Sequence, residues 1–317
     1  MKNMENENDW IVEVKDLAKS YKDVHAVNGI SFNVKRGTLF SLLGENGAGK
    51  STTINILCSL IFKDSGRVFI NHMDLDRQAH EIKKHIGIVF QHSVLDEQLT
   101  VKQNLESRAA LYAMSPKETK ERIEKLTRIL ELGPLLNRPY GVLSGGQRRR
   151  IDIARALIHE PDILFLDEPT TGLDPLARTM VWDILHKLMK ERMLTIFLTT
   201  HYMEETAMAD HIVIINHGKV VAEGTPDSLK NQYAKDTIRL IAPRSDAVSK
   251  LLDAAERWYA YSHGAYHIWI KNAQDGLDFI NAHRETFKDF EIIKGTMDDV
   301  FLKVTGAKEF DEEDDPK

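Results

Sequence analysis

Apolar and polar positions alternate in three different ways along the chain. From Trp10 to about Gly224, short apolar runs are separated by stretches with helical spacing, which predicts an α/β domain with a largely parallel sheet. The clearest runs are Leu39-Phe40-Ser41-Leu42-Leu43, Ile163-Leu164-Phe165-Leu166 and Leu194-Thr195-Ile196-Phe197-Leu198. They are almost wholly apolar, as strands covered on both faces should be. Within Val101–Leu132 the residues Leu105, Leu111, Ile123, Leu126, Ile129 and Leu130 recur at helical spacing, which predicts a helical stretch. Ile212–Ile215 and Val220–Ala222, joined through Asn216-His217-Gly218, read as a hairpin closing the domain.

After Thr225-Pro226 the pattern shortens. Strands are expected at Thr237–Ile241, Trp258–Ser262, Tyr266–Ile270 and Phe290–Ile293, and helices at Asp246–Glu256, Leu277–Arg284 and Met297–Val304. The order β-α-β-β-α-β is that of a ferredoxin-like unit. We therefore expect one domain over 10–230, a small α+β domain over 236–305, and an acidic, disordered tail over 306–317.

Composition narrows the classes. Of 317 residues, 42% are hydrophobic and 28% charged, enough to bury a core and stay soluble. The formal charge of −6 argues against a dedicated nucleic-acid binder. The single cysteine, Cys58, excludes an intramolecular disulfide framework and reads as a small core residue. No apolar run approaches the roughly 18–20 residues needed to span a bilayer. The polar, acidic start is no signal peptide, so a partner would be needed to hold the chain at a membrane.

The candidate chemistry sits at two strand ends. Gly44-Glu45-Asn46-Gly47-Ala48-Gly49-Lys50-Ser51, followed by Thr52, fits G-x-x-x-x-G-K-[ST] directly after an apolar strand. Glycines there let several N–H groups turn toward one polyphosphate, and the following helix adds its positive end. Lys50 would reach the β- and γ-phosphates, and the Ser51 hydroxyl would ligate Mg²⁺. Asp167 and Glu168 end a second apolar strand. Asp167 would organise the metal shell, and Glu168 would take a proton from water.

A third motif, Leu143-Ser144-Gly145-Gly146-Gln147, lies upstream of that acidic strand. With it, the stretch from Trp10 to Gly224 resembles the nucleotide-binding subunits of ATP-binding-cassette (ABC) transporters. The resemblance implies a P-loop cassette: a RecA-like parallel core, an antiparallel β subdomain and a helical subdomain. It matches Tyr21 to the aromatic that stacks on adenine, and Gln91 to the glutamine near the metal and the transporter contact. Asp174 corresponds to the family's D-loop aspartate, and His201 to the histidine that contacts the γ-phosphate. Taken alone, Tyr21 reads more readily as a packing residue, and His201 as a core histidine and Ser144 as a helix cap are open alternatives. Arg148-Arg149-Arg150 reads as a charged helix face rather than a nucleic-acid patch.

The resemblance also implies a head-to-tail homodimer in which the phosphate loop of one copy and the Ser144-Gly145-Gly146 of the other share each ATP. Leu95–Val101 is similar to ABC-2 exporters, and Met297–Leu302 to the terminal helix of drug-resistance ATPases. The expected function is thus the peripheral ATPase of an exporter of drugs, antibiotics or lipid-like substrates, with separate membrane permease subunits, at the cytoplasmic face of the membrane. The rival class is a soluble ABC ATPase acting on ribosomes, DNA or cofactor assembly.

Overall fold

The structure is a computed structural model. It describes residues 9–192 and 194–306, with 191 and 192 described by backbone alone. The expectations for the first eight residues and for the acidic tail from 307 onward lie outside the described residues. The chain divides into two compact units between Glu223 and Gly224.

Among the described residues the first unit holds ten strands: β1 (Trp10–Tyr21), β2 (Val24–Lys35), β3 (Leu39–Leu43), β4 (Ser65–Ile70), β5 (Met73–Asp74), β6 (Ile86–Val89), β7 (Ile163–Asp167), β8 (Thr195–Thr200), β9 (His211–Asn216) and β10 (Lys219–Gly224). Its helices are α1 (Lys50–Leu57), α2 (Leu75–His85), α3 (Val101–Ala110), α4 (Pro116–Ile129), α5 (Gly145–Leu157), α6 (Pro175–Arg192) and α7 (Met203–Thr206). One sheet runs in the order β2-β1-β4-β5, and the other β10-β9-β3-β8-β7-β6. In β3, β7 and β8 every residue is buried, which is why the sequence shows no alternation there. Strand β2 buries Ile30, Phe32 and Val34 and exposes the residues between them, as a strand with one wet face does. Phe32 of β2 stacks on Phe40 at 5.2 Å, Phe40 on Phe197 at 4.9 Å, and Phe165 lies 5.3 Å from Phe197. This row of rings joins the two sheets in one core.

Strands β3, β8 and β7 are parallel neighbours, in a register that sets Leu43 beside Thr200 and Thr199 beside Asp167. Their C-terminal ends therefore open on one sheet edge, where ligands of open α/β sheets bind.

The expected helical stretch over Val101–Leu132 is two helices, α3 and α4, and Leu111 at the break is 75% exposed rather than a core position. The break is written in Ser115-Pro116: Ser115 and Glu118 form a reciprocal capping box, and Pro116 occupies the first turn. A new helix starts there at the expense of the old one. The arginine run also differs from expectation. Arg149 is 6% exposed, buried within the protein rather than on a charged face.

The second unit contains α8 (Pro226–Tyr233), β11 (Asp236–Ile241), α9 (Asp246–Ala254), β12 (Tyr259–Ser262), β13 (Ala265–Ile270), α10 (Ala273–Ala282), β14 (Phe290–Ile293) and α11 (Met297–Thr305). The sheet order is β12-β13-β11-β14, with β11 antiparallel to both β13 and β14. One face buries Ile238, Leu240, Tyr266, Ile268 and Ile270 against Leu252, Phe279 and Ile280. Helix α10 starts four residues before the expected Leu277, capped by Asn272. Gly276 hid that start from the apolar pattern. Inside the helix it packs closely on β13, where a Cβ would lie 2.7 Å from Ile270 Cδ1.

Candidate active site

The loop between β3 and α1 wraps tightly against its surroundings. Gly49 stands at the helix N-cap with φ +108°, a backbone region open to glycine, and a Cβ there would run into the Ala26 carbonyl. No side chain caps α1, so the N–H groups of its first turn are left for an anion. Lys50 is 4% exposed. Its Nζ donates to the Gly44 carbonyl at 2.8 Å and the Glu45 carbonyl at 3.0 Å, and lies 3.5 Å from Glu168 Oε1. Burial pushes the Lys50 ammonium below its ordinary pKa, against the opposing pull of Glu168 and Asp167. Asn46 and Gly47 are exposed, and Thr52 is half-buried in the first turn of α1. Ala48 is buried, and its carbonyl accepts from Gly218 N at 3.1 Å, so the β9–β10 turn braces the loop.

At the end of β7, two places along the sheet from β3, the two carboxylates separate into different company. Asp167 Oδ1 accepts from Thr199 Oγ1 at 2.6 Å and from Ser51 Oγ at 3.4 Å. Burial raises the Asp167 pKa, while Thr199 and Ser51 favour its charged form. Glu168 is held from three sides. Gln91 Nε2 donates to its Oε2 at 3.2 Å and Thr171 Oγ1 to the same oxygen at 3.3 Å, while His201 Nδ1 lies 3.2 Å from Oε1, too bent for a hydrogen bond. The backbone of Glu168 is in the left-handed region, φ +45°, where a non-glycine residue persists only when its surroundings over-determine it.

Sequence reasoning missed that surrounding. Glu205, 2% exposed, accepts hydrogen bonds from Thr170 Oγ1 and, at 2.6 Å, from Thr200 Oγ1. It thus ties the turn after Glu168 to the strand end before His201. Thr199 adds a bond to Glu168 N at 3.3 Å. The legible signal was a run of strand threonines, Thr195, Thr199 and Thr200, all buried, in a sheet whose other strands carry apolar residues. Buried hydroxyls must find partners.

The remaining candidates stand apart from this cluster. Tyr21 is 47% exposed at the end of β1, its ring 5.6 Å from Lys19 Nζ. Ser144 and Gly145 are exposed, with Gly146 and Gln147 half-buried. Ser144 Oγ accepts from Gln147 N, and Gln147 Oε1 accepts from Ser144 N at 3.2 Å, a complete capping box on α5. Asp174 Oδ1 accepts from Ala177 N at 2.8 Å at the start of α6. No hydrogen bond or ion pair joins Tyr21, Ser144–Gln147 or Asp174 to Glu168 or Lys50 among the described residues.

Among the described residues no three His, Cys, Asp or Glu side chains form a metal cage. A serine hydroxyl beside one carboxylate suits Mg²⁺ instead, because that ion keeps waters and substrate phosphates as its other ligands.

A buried lysine opening a helix that no side chain caps, with a carboxylate pair at the end of the parallel strand two places along the sheet, defines a P-loop nucleoside triphosphatase. Comparison with known proteins makes this specific. A family model described as ABC transporter matches residues 27–171. The chain is 35% identical over 306 residues to the daunorubicin resistance ATP-binding protein DrrA3 of Streptomyces coeruleorubidus, covering 94% of this chain and 96% of that protein. It is 33% identical over 308 residues to the Nod factor export ATP-binding protein I of Burkholderia orbicola, covering 94% and 97%. Among solved structures it resembles cbiO1 from Clostridium perfringens, part of an ABC transporter complex, with 32% identity and a TM-score of 0.65 over 70% of this chain and 90% of that one. A dimeric ATP-binding cassette in a post-hydrolysis state bound to ADP and Pi matches with 31% identity and a TM-score of 0.62, over 68% and 98%. The chain belongs to the ABC transporter family, among its ATP-binding subunits, and is an ABC-type ATPase that binds ATP. No helix among the described residues is long and apolar enough to cross a membrane.

Proposed function

We propose that this chain is the ATP-hydrolysing motor of an ABC-2 type exporter. In this reading it works as a head-to-tail homodimer beneath separate permease subunits, on the cytoplasmic face of the membrane. The observation that carries the reading is the convergence of Lys50, Gln91 and His201 on one buried carboxylate, Glu168.

The loop Gly44–Ser51 and Thr52 hold the phosphates through N–H groups, and Lys50 turns its ammonium from the Gly44 and Glu45 carbonyls toward the β- and γ-oxygens. Glu168 accepts the proton of a water attacking the γ-phosphorus in line, and the bond to the bridging β-oxygen breaks toward ADP. Gln91 and His201 orient that water and the γ-phosphate. Ser51, Asp167 and Gln91 are the residues to hold Mg²⁺, which when bound offsets charge on the β- and γ-oxygens. Tyr21 is exposed and free to stack on adenine. Exposed Ser144 and Gly145, with Gly146, Gln147 and Asp174, complete the nucleotide site of the second copy.

A groove of about 770 Å³ beside Phe90 supports a protein partner near Gln91; Leu60, Val94 and Leu111 line it and are exposed. The names of the relatives, daunorubicin resistance and Nod factor export, favour export, with a drug as one class of cargo. The arginine run does not favour nucleic acid: Arg148, Arg149 and Arg150 all donate to carbonyls of this chain. The domain over 10–230 is then the cassette and 236–305 a ferredoxin-like accessory domain.

Replacing Glu168 with Gln tests the core of this reading. Phosphate release should fall about 10²–10⁴-fold, the range for loss of a positioned general base. ATP-bound dimers should accumulate on size-exclusion chromatography. Wild-type turnover by Glu168→Gln removes Glu168 from the mechanism.

A further inference from the structure

Beyond β6 the chain runs from Phe90 to Leu99 without regular structure, and Gln91 lies in this segment. Carbonyls at the end of β6 and the start of this segment are taken up by side chains of α5. Arg155 donates to the Ile88 carbonyl, and Arg149 to the Phe90 carbonyl at 2.7 Å and the Gln91 carbonyl at 3.3 Å. Between them on the helix, Asp152 accepts from Ser93 Oγ at 2.6 Å and from Tyr140 OH at 3.3 Å. Positions 149, 152 and 155 recur every third residue and so share one helix face. All three are at least 94% buried. A planar guanidinium can span two successive carbonyls, which a lysine ammonium cannot. Asp152 supplies the buried countercharge that makes such a cation tolerable.

We infer that Arg149 is a positioning residue for hydrolysis: it grips the backbone at Gln91 so that the Gln91 amide stays on Glu168, while Asp152 holds the same segment at Ser93. The inference rests on the roles proposed above for Gln91 and Glu168. Because α5 begins at Ser144-Gly145-Gly146, the grip also joins the two anion-binding surfaces of the chain through one helix.

A double-mutant cycle on the full chain tests it, with steady-state ATPase measured for wild type, Arg149→Lys, Gln91→Ala and the double variant. Lysine keeps a cation facing Asp152, so the fold is retained while the two-carbonyl fork is lost. Arg149→Lys should lower kcat about tenfold, the worth of one hydrogen bond from a charged donor, with KM for ATP within about twofold. In the Gln91→Ala background the same change should cost less than about twofold, because its effect runs through Gln91. Equal falls in both backgrounds, or no fall in either, overturn the inference while leaving Gln91 in place. If Gln91→Ala itself leaves kcat unchanged, the role of Gln91 fails and the inference goes with it. Should Arg149→Lys not fold, the same cycle with Asp152→Asn reads the same coupling, at about threefold.

Discussion

Helices α1 and α5 open with the same vocabulary, glycines and a serine, and use it in opposite ways. Gly49 leaves α1 with no side-chain cap, and the first residue of the helix is the buried Lys50. Ser144 and Gln147 close α5 with their own capping box, and Ser144 and Gly145 are exposed. An uncapped helix start that carries a cation can hold a polyphosphate by itself. A capped, exposed start has spent part of its donors internally, so what it offers an anion is weak unless a second surface supplies the rest. In the proposed dimer, the first surface binds the nucleotide and the second is reached only when two copies close.

The largest effect that could break this comparison comes from Lys50→Ala. Removing a buried, charge-assisted donor should weaken ATP binding to dilute, monomeric protein roughly a hundredfold, and hydrolysis should vanish with it. Isothermal titration at concentrations below self-association measures this. Retention of wild-type affinity would mean that the loop does not hold the nucleotide unaided.

Ser144→Ala sharpens the other half and is a smaller change. It removes the cap of α5 at a cost of about 1 kcal/mol to that helix, visible as faster amide exchange in its first turn. ATP affinity of the dilute protein should stay within about twofold, whereas ATP-driven dimerisation in the Glu168→Gln background should weaken. A loss of monomer affinity as large as that of Lys50→Ala would place Ser144 in the same site as Lys50 and dissolve the distinction.

These two helix starts were also the most legible part of the sequence, because each is a contiguous word. Gly44–Ser51, Asp167-Glu168 and Ser144–Gln147 can each be read without knowing what lies across space. What could not be read was what meets them from elsewhere. Glu205 reaches Thr170 across 35 positions, and Arg149 reaches Phe90 across 59. In the sequence one is an acid in a short helical run and the other the middle of three arginines. Their burial is decided by packing that no local pattern encodes. The strands of the parallel core were readable because full burial leaves an unbroken apolar run. The break between α3 and α4 was carried by Ser115-Pro116, a cap signal outweighed by the apolar spacing on either side.

The far end of α5 provides the smallest and most specific prediction. Where the start of the helix is exposed, its end is anchored. His159, just past the last turn, packs its ring on Tyr112 at 4.0 Å and donates from Nε2 to the Ile86 carbonyl at 3.0 Å. Burial, with Arg108 and Arg155 nearby, lowers its pKa from 6.5 to about 4. Between those two values the unfolded chain binds more protons at this residue than the folded one. The stability the neutral ring provides is therefore complete above about pH 6.5 and is lost as the pH falls toward 4. His159→Phe keeps a ring on Tyr112 but cannot take up a proton. It should lower Tm by a few degrees at pH 8 through the lost hydrogen bond, yet show a shallower fall of Tm between pH 6.5 and 4 than wild type. An equal acid slope in both proteins would show that this anchor is not what ties α5 to β6, and the contrast between the two ends of the helix would lose its physical basis.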